Sequence, residues 1–197
     1  MAKSLEARVE ALEKQFAEMK GNSAVKISKK LGVRDTFELA GLTWKILEIT
    51  EEGYKCLAER LEDSMQFDSG CNNWTASDLR NYLNTEFYKK MVDAIGEENI
   101  IPFERDLLSM DGQAEYGKCE DKVSLLTVDE YRKHRALIPN AEYWWWTITP
   151  DSTPCNDDSR WLRVVSPSGG IGNNGCNIGI GVRPFCIFAS SLFESKE

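Results

Sequence analysis

Lysine, glutamate, glutamine and methionine are all missing from residues 147–193, although the chain before that span is rich in lysine and glutamate. Within the span, Trp161 alone falls outside the alphabet that codons of the form NNC encode. Histidine is nearly absent from the whole chain: His134 stands alone between Lys133 and Arg135 and reads as a surface residue of a charged helix. A lone histidine gives no relay without other bases. The six cysteines (Cys56, Cys71, Cys119, Cys155, Cys176 and Cys186) form no CxxC pair. Zinc sites need clustered cysteine and histidine, so a structural zinc is not expected, and buried reduced thiols are. A disulfide between two of the last three cysteines stays open. No apolar run approaches the roughly 20 residues of a membrane span. The charged N-terminus has no signal-peptide core, so cytoplasmic synthesis is expected. Positive charge is also short, with 24 Lys+Arg against 32 Asp+Glu, a net charge of −8 and a pI near 4.9. That balance argues against a nucleic-acid footprint.

What is present suits one soluble domain with an appendage: 197 residues, 42% hydrophobic and 28% charged. In residues 1–21, Leu5, Val9, Leu12, Phe16 and Met19 alternate at spacings of four and three. This is the seam of a coiled coil, with Arg8 and Glu13 placed for an interhelical ion pair. A short parallel stem is expected, forming a homotrimer. Residues 22–35 read as a basic linker carrying Lys26, Lys29 and Lys30. Residues 36–193 read as the globular, ligand-binding domain.

Inside that domain, short strands are predicted over 36–39, 43–49 and 54–59, with turns at Gly41 and Gly53. A helix is predicted from about Ser77, with Leu79, Tyr82, Leu83 and Phe87 on one face, and a second short helix over 89–95. Residues 123–126 read as a strand. Thr127 and Glu130 form a capping box that opens a helix through Arg135. Strands early, helices in the middle and strands late indicate an α+β domain.

Gly170-Ile-Gly-Asn-Asn-Gly175 matches GxGxxG, but the residues after it cannot form the helix that a dinucleotide site requires. Asp157-Asp158, with Asn156 and Asp151, offers oxygen ligands of the kind calcium takes, without EF-hand spacing, and reads as a solvated acidic turn. No metal or cofactor is expected. Trp144, Trp145 and Trp146 are consecutive and alternate in direction on a strand. Trp145 is assigned to the core and Trp146 to the surface.

Trp145-Trp146-x-x-Thr149-Pro150 followed by Gly181-Val-Arg-Pro-Phe-Cys186 resembles the bacterial and phage family of domain of unknown function 6273. Leu79-Arg-Asn-Tyr-Leu-Asn-Thr-Glu-Phe-Tyr88 and Val123-Ser-Leu-Leu-Thr-Val-Asp-Glu-Tyr131 are similar to its helical motifs. The resemblance covers residues 32–190. It implies a C-type-lectin-like domain, with two helices and small twisted antiparallel sheets. It also implies a variable protein of a diversity-generating retroelement, in which adenine positions near the end of the gene are rewritten. The EPN, QPD and WND sugar signatures are absent, so calcium-dependent sugar binding does not carry over.

On this basis the chain is expected to be a non-enzymatic binding protein, phage-encoded and carried on a virion. Its expected partner is a macromolecular ligand, protein or glycan, on a host-cell surface, without membrane insertion. The contact residues expected are Trp146, Ile148, Asp151, Arg160, Trp161, Arg163, Ile171, Asn173, Asn174, Cys176, Asn177, Ile178 and Ile180. Arg183 is assigned a structural role before Pro184. Two alternatives stand beside this reading. One is a formylglycine-generating-like enzyme using Cys176 and Cys186; the other is a structural tail or adaptor module.

Overall fold

The computed structural model describes residues 31–59, 64–156 and 159–193. The expected stem (1–21), most of the linker and the Asp157-Asp158 pair lie outside the described residues. The chain opens with an antiparallel hairpin, β1 (Thr36–Leu39) and β2 (Leu42–Ile49), in which Leu39 faces Leu42. Ala40 and Gly41 join them with φ of 52° and 78°. Two positive φ values in a two-residue loop match the right-handed twist of the flanking strands. β3 (Tyr54–Ala58) pairs back on β2 after the turn at Gly53.

At Gly53 φ is 150°, and a Cβ there would lie 2.3 Å from the Phe188 carbonyl oxygen. Backbone cannot yield as a flexible side chain does. Gly53→Ala is therefore expected to cost more than about 1 kcal/mol, read as a lowered denaturation midpoint at unchanged m-value.

A helical run over residues 78–95 follows. It comprises Asp78–Tyr82, a π-turn at Leu83–Phe87, and Tyr88–Ile95. Ser77 caps it by accepting from the Arg80 N–H at 3.1 Å, and Gly96 ends it at φ 84°. Leu79, Leu83, Phe87, Met91 and Ile95 form one stripe at spacings of four, and all are buried. Asp121 anchors the N-terminal end, accepting from Trp74 Nε1 at 2.6 Å and Arg80 Nε at 2.7 Å.

Next come β4 (Ile100–Ile101), then β5 (Phe103–Asp106) and β6 (Lys118–Asp121), which pair as a two-stranded sheet. The short helix Val128–His134 opens on the expected capping box. Glu130 N–H donates to Thr127 Oγ1 at 3.1 Å, and Thr127 N–H donates to Glu130 Oε2 at 2.8 Å. β7 (Trp145–Pro150), β8 (Trp161–Val165) and β9 (Ile171–Gly175) make a three-stranded sheet in that order. β10 (Phe185–Phe188) returns to the first sheet, whose order is β1-β2-β3-β10-β4.

The core explains why β7 and β10 are buried at every position. One cluster joins Trp44, Ile46, Cys56 and Phe188 of the large sheet to the helical stripe and to Trp146, Ile148, Leu162 and Val164. A second joins Leu47, Leu57 and Phe185 to Tyr131, Trp145 and Val165. Alternate residues of β3, β7 and β10 thus enter different clusters, so these strands are covered on both faces, whereas on β8 only Val165 of the outer side reaches the second cluster.

The α+β, two-helix C-type-lectin-like expectation is corrected by this architecture. The described structure is mostly β, with ten strands in three antiparallel sheets. The helix expected over 89–95 is the end of the single run 78–95, because the stripe from Leu79 to Ile95 never breaks phase. That run is the only long helix among the described residues. Val128–His134 is limited to two turns by the Leu137-Ile138-Pro139 segment. Residues 123–126 are not a strand either; Ser124 makes an isolated bridge to Phe185. No helix among the described residues is long and apolar enough to cross a membrane.

Candidate functional site

The outer side of β8 and β9 carries the open surface of the three-stranded sheet. On β8, Leu162 and Val164 point into the core, so Trp161 and Arg163 point outward. The register places Arg163 opposite Asn173, Trp161 opposite Gly175 and Val165 opposite Ile171. Asp151, just past β7, is held by its N–H donating to the Trp161 carbonyl at 2.9 Å. Its carboxylate pairs with the Arg163 guanidinium and accepts from Asn173 Nδ2 at 3.1 Å. Asp151, Arg163 and Asn173 therefore form one polar group whose charges offset each other, and Arg163 Nε has no partner within it.

Apolar side chains flank this group. Trp161 is 48% exposed and Ile178 46%, and Ile171 is exposed as well. Gly175 lets the chain fold back beside Trp161: a Cβ there would come within 3.1 Å of Asn177 Oδ1 and 3.9 Å of Ile178 Cγ1. Arg160, Asn173 and Asn177 are exposed around them. Nearer the other end of β7 the same sheet side is closed, because Tyr131 of the short helix sits edge-on to Trp145 at 5.4 Å. The face is open only along β8, β9 and the 176–178 turn.

Five expected contact residues are not on this surface. Trp146 and Ile148 are fully buried, because the inner side of β7 meets the main core: Phe67 packs on Trp146 at 5.8 Å, and Trp146 Nε1 donates to the Met65 carbonyl at 2.8 Å. Cys176 is buried because its backbone is tied on both sides, by its N–H to Arg160 and by its carbonyl to the N–H groups of Phe67 and Asp68. Asn174 faces the Leu162 side and is half-buried, its Oδ1 accepting from Gly175 N–H. Ile180 is half-buried through its bridge to Met65. Asp151, Arg160, Trp161, Arg163, Ile171, Asn173, Asn177 and Ile178 are brought together in part or full contact with solvent.

Trp144 is 44% exposed as well, but a Gly172 Cβ would meet its ring at 3.0 Å on the Val164 side of the sheet, away from Trp161 and Arg163.

The neighbouring loops are tied down. Asp111 accepts from Ser109 Oγ at 2.5 Å, Ser152 Oγ at 2.6 Å and Asn156 Nδ2 at 3.1 Å, and these donors hold its carboxyl at about 2. All six cysteines are free thiols. Burial pushes the thiols of Cys56, Cys176 and Cys186 up, away from reactive thiolate. His134, expected on the surface, is buried with Nε2 3.7 Å from Glu48 Oε2, and burial lowers its pKa. Arg183 is buried over the Trp145 ring, its Nε donating to the Ala58 carbonyl at 3.0 Å.

No curated protein and no solved structure matches the chain. The family model described as Domain of unknown function (DUF6273) matches residues 54–190, from β3 through β10 and so across the whole candidate surface, and the chain belongs to that family.

Proposed function

We propose that this chain is a non-enzymatic binding protein whose ligand surface is the outer face of β8, β9 and the 176–178 turn. We further propose that it is a variable protein of a diversity-generating retroelement, carried by a phage and directed at a host-surface macromolecule. One observation supports this reading most. Trp161 and Ile171 on the sheet and Ile178 in the turn beside it are large apolar side chains held in solvent around the Asp151–Arg163–Asn173 group. Rigid aromatic anchors beside adaptable polar groups are how paratopes gain contact area at low entropic cost. They lie in the span that lacks lysine, glutamate, glutamine and methionine. A homotrimer would multiply such contacts by avidity. The formylglycine-type alternative needs reactive thiols, and its two candidates, Cys176 and Cys186, are both buried with raised pKa values.

Sequencing the gene and its flanking DNA from independent isolates tests the proposal. Substitutions should concentrate at Asp151, Arg160, Arg163, Ile171, Asn173, Asn177 and Ile178 and spare Trp146, Leu162 and Val164, with a reverse transcriptase gene nearby. Substitutions spread evenly over exposed positions of the whole domain would refute it.

A further inference from the structure

A second surface lies on the two-stranded sheet and does not depend on the reading above. Leu107 N–H donates to the Gly117 carbonyl at 3.0 Å, continuing the β5–β6 ladder. In an antiparallel ladder the bonded positions alternate, so Phe103 and Arg105 share that bonding with β6 while Glu104 and Asp106 turn their N–H and C=O the other way. Beyond the ladder, no backbone hydrogen bond reaches Glu104 or Asp106 among the described residues.

This open edge borders a groove of about 530 Å³. The groove is bounded by Thr127 and Asp129 of the short helix, by Thr149 of β7, and by the turn at Ser109–Gly112. Leu108 and Met110 are exposed on its lip. Arg105, 3% exposed, lines it with an Nε that has no hydrogen-bond partner. Its four carboxylates (Glu104, Asp106, Asp129 and Glu130) meet Arg105 and Arg132 of the lining and Lys118 of β6, which pair with Glu130, Asp129 and Glu104, so the site keeps a net negative charge at Asp106.

We propose that the β5 edge and this groove form a docking site for an extended, basic peptide segment of a partner protein, added as a third strand to the β5–β6 sheet. Outward backbone groups of Glu104 and Asp106 would supply main-chain bonds, and alternate side chains would reach the acidic lining and the Leu108–Met110 lip. The edge carboxylates repel an acidic strand, including one from a second copy of this chain at its net charge of −8. They therefore select a basic occupant.

The test is fluorescence anisotropy on the full chain at low salt. The probes are a labelled heptapeptide alternating lysine and valine, and the same peptide with glutamate for lysine. Glu104→Pro removes the outward N–H without touching the β6 ladder, and Asp106→Lys reverses the edge charge; thermal melting verifies that each folds. The basic peptide is expected to bind about tenfold or more tightly than the acidic one. Each folded variant is expected to weaken it about tenfold, from one lost main-chain bond or one reversed charge. No binding of the basic peptide, equal binding of the acidic one, or unchanged affinity in a variant that melts normally would each overturn the proposal. If Glu104→Pro does not fold, Asp106→Lys decides alone.

Discussion

Trp146→Ala is expected to destabilise the protein by about 3–5 kcal/mol, whereas Trp161→Ala, fifteen residues along the same sheet, is expected to change stability by about 0.5 kcal/mol or less. Trp146 is fully buried between Phe67 and the core side of β8, so truncation leaves a large cavity. It also strands the Met65 carbonyl that accepts from its indole N–H at 2.8 Å. For a chain of this size the loss is a midpoint drop on the order of 10 °C. Trp161 is 48% exposed, and its removal takes away surface without opening the core. Paired thermal and urea melts read both effects. A Trp146→Ala protein that melts like the unsubstituted one would mean that the inner side of β7 is not packed as described.

Glu130→Gln is expected to cost about 3–5 kcal/mol, because it leaves a buried guanidinium without its counter-charge. Arg105 is 3% exposed and lies over the Phe103 and Phe185 rings at 5.3 and 5.7 Å. Its Nη1 and Nη2 donate to the two Glu130 oxygens at 2.7 and 2.6 Å, and Nη2 also reaches the Leu125 carbonyl at 2.9 Å. Glutamine would turn an amide N–H₂ toward one guanidinium nitrogen and withdraw the charge from the other.

The same pair makes stability depend on pH. Burial works to raise the Glu130 pKa, but hydrogen bonds and charge from Arg105, with Thr127, outweigh it and hold the carboxyl below its ordinary value. A depressed folded pKa means that the contribution is complete above the unfolded value of about 4.3 and is lost as pH falls through the lower folded value. Melts taken between about pH 7 and pH 3 should show the unsubstituted protein losing this increment on acidification and Glu130→Gln lacking it from the start. Equal midpoints near neutral pH would remove the pair from the stability argument.

Much of the local structure was legible because its signals are local. Gly41 and Gly53 marked turns, Leu79, Leu83 and Phe87 marked one helix face, and Thr127 with Glu130 marked a helix start; all four features stand in the structure. Trp161 and Arg163 were found because the whole stretch from Trp146 to Ile180 reads as the contact surface; the alternation of β8 that turns them outward is a feature of the structure. Alternation stops short of saying what covers each side. It separates Trp145 from Trp146, yet both are buried, because Tyr131 lies on one side and Phe67 on the other. The burial of Cys176 and His134 likewise depends on segments distant in the chain, around Phe67 and Glu48.

By itself, then, the sequence determined the turns, the caps, the helical stripe, the family and the unusual alphabet of residues 147–193. Only the tertiary structure decided that the fold is mostly β, that both sides of β7 are core, and that the solvent-facing surface narrows to β8, β9 and the 176–178 turn. The physical reason is that propensity, capping and periodicity act over a few residues. Burial is set by whichever distant side chains arrive to exclude water.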